Sequence, residues 1–199
     1  MSDLQTAVGR TRPVPHPGTG RVIGRWMVSF AAYPLGGYAA FLLTGRVDDP
    51  GSALAGGLLT GAVLGAAQVW ALGQALPRSL AWIIATAAGL MGGVSAGAAL
   101  VDYQTDLGSL VVQGAVGGAL VGLVQAAVLA PRVGALALVW PLFLSGTFAI
   151  GWAVTTSAGI GVDQQFTIFG SSGALVATLL TAALPLVLNN RHHTEAAAS

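Results

Sequence analysis

The 199-residue sequence predicts an all-α fold: an integral membrane six-helix bundle, arranged as three parallel helical hairpins around a pseudo-threefold axis along the membrane normal. Three observations lead there. Charged residues make up 8% of the chain and hydrophobic ones 54%, whereas a soluble domain carries about 25% charged residues to cover its surface. Apolar stretches of roughly 20 residues, enough to cross a bilayer as a helix, follow one another along the chain. Glycines, tryptophans and aspartates recur in phase with those stretches.

The spans are expected at about 23–43, 52–76, 80–100, 107–129, 133–154 and 166–188. Residues 1–21 form a polar, basic N-terminal arm, 22–189 the transmembrane domain and 190–199 a C-terminal tail. The first span exceeds the 7–15 residues of a signal-peptide core and is read as a retained helix, bent at Pro34. Pro77-Arg78-Ser79 and Pro131-Arg132 read as tight interfacial turns.

Orientation follows from arginine, which supplies all eight basic residues. Arg10, Arg12, Arg21 and Arg25 precede the first span, Arg78 and Arg132 occupy the second and fourth connections, and Arg191 follows the last. All fall on one side; only Arg46, with Asp48 and Asp49, falls on the other. The positive-inside rule makes the arginine side cytoplasmic, with both termini there. No ionisable residue lies deep in a span, as the insertion cost of a central charge requires. Arginine without lysine, and abundant Ala and Gly, suit GC-rich coding and hence a bacterial cytoplasmic membrane.

The internal periodicity is more specific. Gly57, Gly61, Gly65, Gln68 and Leu72 recur as Gly114, Gly118, Gly122, Gln125 and Leu129, each 57 residues on (57 to 114). Trp26 followed by Gly36-Gly37 recurs as Trp82 followed by Gly92-Gly93, and more loosely as Trp140 with Gly151. Asp49, Asp106 and Asp163 keep the same step. Gly170, Ala174, Thr178 and Thr181 give a small-residue version in the last span. The hairpins are about 22–76, 78–130 and 132–189, each entering near a Trp, turning near an Asp and returning along a glycine stripe. The alternative is chance, since a chain with 29 glycines makes such spacings easily.

The stretch from Gly61 through Gly65 and Gln68 to Leu72, followed by Pro77-Arg78 and Trp82, resembles a segment of uncharacterised bacterial multi-pass membrane proteins with a G-x3-G-x2-Q-W-x2-L-R pattern. Here the tryptophan is displaced by one, to Trp70, and Gly73 stands in place of the arginine. The second copy, ending Gln125 to Arg132, lacks the tryptophan. The resemblance covers about the central half of the chain and implies no activity.

Glycines four apart share a helix face and admit another backbone closely, a main source of association in lipid. Gly57, Gly61, Gly65, Gly114, Gly118 and Gly122 are therefore helix-packing candidates, with a backbone-lined permeation path as the alternative. Gln68 and Gln125, with Thr181 as third member, form a candidate intramembrane polar layer. They serve either as interhelical hydrogen-bonding groups or as contacts for a solute, and Gln113 is a candidate for an entrance nearer the outer surface. Trp26, Trp82 and Trp140, beside Arg25, Arg78 and Arg132, are expected to anchor the spans at headgroup depth. Asp49, Asp106 and Asp163 either cap helix starts or form an outer mouth that collects cations.

Catalytic chemistry finds little support. Cysteine is absent, His16, His192 and His193 lie in the tails, and no spacing resembles a metal site, a nucleophile–base pair or a phosphate loop. The chain is read as a non-enzyme with no cofactor, no metal and no nucleic-acid partner. Its partners are the lipid bilayer and a homo-oligomer or larger membrane complex. Two functional readings stand: an accessory or self-associating packing subunit, and a small passive channel or transporter along the pseudo-axis.

Overall fold

Proline, aspartate and glycine set the helix boundaries. The computed structural model describes residues 18–76, 78–159 and 166–188, and every regular element in them is helical: α1 (Thr19–Val28), α2 (Ala32–Thr44), α3 (Pro50–Leu72), α4 (Ser79–Leu100), α5 (Leu107–Val133), α6 (Trp140–Ser157) and α7 (Ser171–Thr181). Helix α3 starts with Pro50, whose missing N–H costs nothing at that position. Asp49 caps it, accepting from the N–H groups of Gly51 (2.6 Å) and Ser52 (3.1 Å). Asp106 does the same for α5 through the Ser109 N–H at 3.1 Å. Both helices end at a glycine in the left-handed region, Gly73 (φ 53°) and Gly134 (φ 60°), where a side chain would be strained. Helix α4 ends differently: Asp102 and Tyr103 both take positive φ, and the Tyr103 N–H reaches back to the Ala98 carbonyl at 2.8 Å.

Five stretches are long and apolar enough to cross a membrane: Thr19–Thr44, Pro50–Ala75, Ser79–Leu100, Leu107–Ser157 and Ser171–Leu188. The first is interrupted by a 3-10 turn at Ser29–Ala31, which contains Phe30, the residue whose carbonyl the Pro34 ring would meet in a continuous α-helix. The fourth stretch has 51 residues. As one straight helix it would be about 77 Å long, far beyond a hydrocarbon core of about 30 Å. Instead it breaks at Gly134, runs as a 3-10 turn to Val139, and α6 packs back against α5. The surface is apolar, with Leu142 78% exposed, while polar Gln125, Thr60 and Thr86 are at most 1% exposed. That distribution suits a protein whose solvent is lipid.

The structure moves three of the expected boundaries. Helix α1 begins at Thr19, inside the expected N-terminal arm. The turn expected at Pro131-Arg132 lies one step later, because α5 carries Pro131 within its last turn and stops only at Gly134. The last span does not begin at Phe166: residues 166–170 are non-helical, and α7 starts at Ser171. Thr167, Ile168 and Phe169 within that irregular segment are nonetheless 2%, 4% and 0% exposed. Irregular backbone at membrane depth is tolerated where protein surrounds it.

Each tight helix joint is built on glycine. On α3, a Cβ added to Gly57, Gly61 or Gly65 would lie 2.6, 2.6 or 3.0 Å from backbone atoms of Leu90, Ala87 or Ile83 on α4. The partners run in opposite order, so the helices are antiparallel. On α5, Gly114, Gly118 and Gly122 meet the backbone of Phe148, Leu144 and Pro141 on α6 in the same way. Between these joints α4 packs on α5, with Gly93 facing Gly117 at a Cβ-to-Cα approach of 2.8 Å.

Candidate functional site: a closed polar layer at the centre of the bundle

One layer of polar side chains lies where the helices converge. Gln68 is on the face of α3 that meets α4, one turn beyond Gly65, and Gln125 occupies the matching place on α5. An indole N–H buried from water must find an acceptor, and the two glutamines provide it. Trp82 on α4 donates to Gln68 Oε1 at 2.9 Å, and Trp140 on α6 donates to Gln125 Oε1 at 2.9 Å. The Gln125 amide then donates to Thr86 Oγ1 at 2.9 Å, and the Thr86 hydroxyl donates to the Trp82 carbonyl at 2.8 Å. At the remaining joint Trp26 on α1 donates to the backbone carbonyl of Thr178 on α7 at 3.2 Å. The three tryptophans thus tie α1 to α7, α4 to α3 and α6 to α5.

These contacts correct the expected position of the tryptophans. Trp26 and Trp82 are 2% and 0% exposed, so their rings are inside the protein and do not sit among headgroups; Trp140 is half-buried. The driving force is the indole's need for an acceptor, met by a glutamine 14 or 15 residues earlier (68 to 82, 125 to 140). That recurring Gln-to-Trp interval is a sequence signal for the pairing. Thr86 and Thr178 have no comparable signal, since they matter through partners on other helices. Arg78 is exposed and Arg132 half-buried at the same end. Arg25 lies over the Trp70 ring at 4.5 Å, a cation–π contact.

Gln68, Gln125 and Thr181 line one central cavity, together with Trp26, Tyr33 and Leu64 among others. Its volume is about 10 Å³, the threshold at which a cavity holds a single water. Thr181 shares the cavity but not the network, because its hydroxyl donates to the Ala177 carbonyl of its own helix at 2.8 Å. Toward the aspartate end, Phe169 closes the centre. It stacks on Tyr33 at 5.3 Å and meets Phe148 and Trp152 edge-on at 5.2 and 6.1 Å. Gly151 of α6 accommodates the ring, with a Cβ there lying 2.9 Å from it. Gln113, 7% exposed, faces a separate cavity of about 10 Å³ with Tyr103, Thr105 and Phe166.

The aspartates lie apart from this layer. Asp49 and Asp106 are at the exposed starts of α3 and α5, and hydrogen bonds from Ser52 and Ser109 respectively hold their carboxyls below the usual carboxylate range. Asp163 lies outside the described residues, as do His16, His192 and His193. Among the described residues no three His, Cys, Asp or Glu side chains gather as metal ligands. The central layer offers neutral hydrogen-bonding groups, chemistry suited to holding helices in register.

The chain stands apart in comparison. No family model, no curated protein and no solved structure matches it.

Proposed function

We propose that the protein is a non-catalytic integral membrane protein of the bacterial cytoplasmic membrane, an accessory or self-associating packing subunit. It has six spans, counting α5 and α6 separately, grouped as three parallel hairpins with both termini cytoplasmic. The matched registers of the α3–α4 and α5–α6 joints support the repeat, as do the Trp-to-Gln bonds 57–58 residues apart (68 to 125, 82 to 140). The arginines support the orientation. The likeness of the stretch from Gly61 to Trp82 to bacterial multi-pass proteins belongs to the same reading.

The observation that carries the packing role is the closed centre. Gln68, Trp82, Thr86, Gln125 and Trp140 bond among themselves, the cavity is about 10 Å³ and Phe169 stoppers its other end. Conduction along the axis would require the Trp–Gln layer and the aromatic cluster to open together. Reconstitution into liposomes loaded with a cation-sensitive dye tests the choice. The packing reading expects leakage equal to protein-free vesicles and a discrete complex, with itself or other membrane proteins, after mild detergent extraction. Saturable flux that follows protein dose would establish the transport reading instead.

A further inference from the structure

One polar group of the central layer is left over, the amide nitrogen of Gln68. The Trp82 indole is a donor only, so the Gln68 oxygen must face it, and that bond of 2.9 Å fixes which way the amide points. The Nε2 group carries two N–H donors. It has no partner among the described residues, although Gln68 is only 7% exposed. Gln125, 57 residues on (68 to 125), meets the same need by donating to Thr86 Oγ1 at 2.9 Å. By the same step the counterpart of Thr86 is Ser29 (29 to 86). Ser29 opens the 3-10 turn that interrupts the first span, and its hydroxyl donates to the Trp26 carbonyl at 2.6 Å without a bond to Gln68. A buried polar group without a partner calls for an explanation.

Gln68 lines the central cavity of about 10 Å³, and Thr181 lines it too. The Thr181 hydroxyl donates its proton to the Ala177 carbonyl, and its oxygen keeps lone pairs that can accept. Room for one water with a donor and an acceptor on the wall is what a buried water requires. An apolar filler would leave the Gln68 amide unpaired, and an ion would meet no charged side chain there. We infer that the central cavity binds one sealed water molecule, which accepts from Gln68 Nε2 and donates to Thr181 Oγ1. Through it Thr181 on α7 joins the Trp–Gln network and is tied to α3. Such a bridge is nearly as favourable as a direct hydrogen bond. The inference rests on the closed centre, since an isolated water needs the layer shut on both sides.

The test is an experimental structure of the full-length protein in lipid, at a resolution that shows ordered waters, with Thr181→Ser and Thr181→Val alongside. The expected result is one isolated density peak about 2.7–3.2 Å from both Gln68 Nε2 and Thr181 Oγ1. Thr181→Ser should keep the peak and Thr181→Val should lose it. The thermal midpoint of Thr181→Val should fall by about 2–4 °C more than that of Thr156→Val. Thr156 makes the same kind of bond, to the Trp152 carbonyl at 2.9 Å, but does not line the central cavity. Should Thr181→Val not fold, the map of the natural protein still decides. Absence of the peak where other buried waters are visible overturns the inference and leaves the closed centre standing. A Gln68 amide bonded to a protein acceptor, or an equal fall in the two valine variants, does the same. A file of waters running from the cavity to either membrane face overturns both.

Discussion

Trp82 donates its indole N–H to the side-chain oxygen of Gln68 at 2.9 Å, joining α4 to α3 inside the protein. The equivalent bond from Trp140 to Gln125 is extended through Thr86 back to Trp82. In hydrocarbon neither partner has water to fall back on, so removal of one strands the other.

Gln125→Met is therefore expected to destabilise the protein by about 1–3 kcal/mol, because it leaves the Trp140 N–H without its acceptor and removes the amide bond to Thr86. Adding Trp140→Phe should recover part of that loss by deleting one stranded donor. Reversible unfolding in mixed micelles measures both variants. Equal stability of Gln125→Met and the natural protein would show that the network does not hold the joint.

The glycine stripes predict a positional contrast. Gly61→Leu and Gly118→Leu force a side chain into the backbone of α4 and α6, at a cost of at least about 1–3 kcal/mol. Gly92→Leu and Gly146→Leu, where an added Cβ meets nothing within 4 Å, should be tolerated. Size-exclusion profiles and thermal midpoints in detergent distinguish them, and similar behaviour of all four would remove the close-packing account.

Sequence patterns and structure part company for identifiable reasons. The stripes were legible because glycine every fourth residue can mark only one face of one helix. Asp49 and Asp106 were legible as caps because each precedes its helix by one residue. The burial of Trp26 and Trp82 is not legible locally, because position near a span end is a local property, whereas the acceptor that draws each ring inward lies on another helix. Residues 166–170 read as helix in the sequence because Phe166-Thr-Ile-Phe169 is as apolar as the span it precedes. What keeps it irregular is reception by distant glycines: Gly56 meets Thr167, Gly37 meets Ile168 and Gly151 meets Phe169.

Acid should weaken the helix starts. Asp49 and Asp106 have folded-state values below the ordinary 3.8. The stabilisation they give is thus complete above that value and is lost as pH falls through the lowered one. The thermal midpoint should hold steady from neutral pH to about 5 and fall below 3.8. In the Asp49→Asn, Asp106→Asn double variant, which still caps but cannot titrate, this part of the fall should be missing. Superimposable acid profiles would assign the decline to other groups.

The absence of cysteine makes single-cysteine topology mapping clean. Arg46→Cys, Asp102→Cys and Ala158→Cys should react with an impermeant thiol reagent on intact cells. Arg78→Cys and Ala135→Cys should react only after permeabilisation. Residues 102 and 158 labelling from opposite faces would make Leu107–Ser157 a single crossing and break the three-hairpin arrangement.

The closed centre is the claim on which the rest depends, and Leu64 and Val121, each 1% exposed beside the central cavity, report on it directly. Leu64→Cys and Val121→Cys proteins in lipid vesicles should resist a small water-soluble maleimide as completely as an interior control does, and react once the bundle is unfolded in detergent. Rapid labelling of both in the folded protein would mean that water fills the axis, and the packing account would give way to a conducting one.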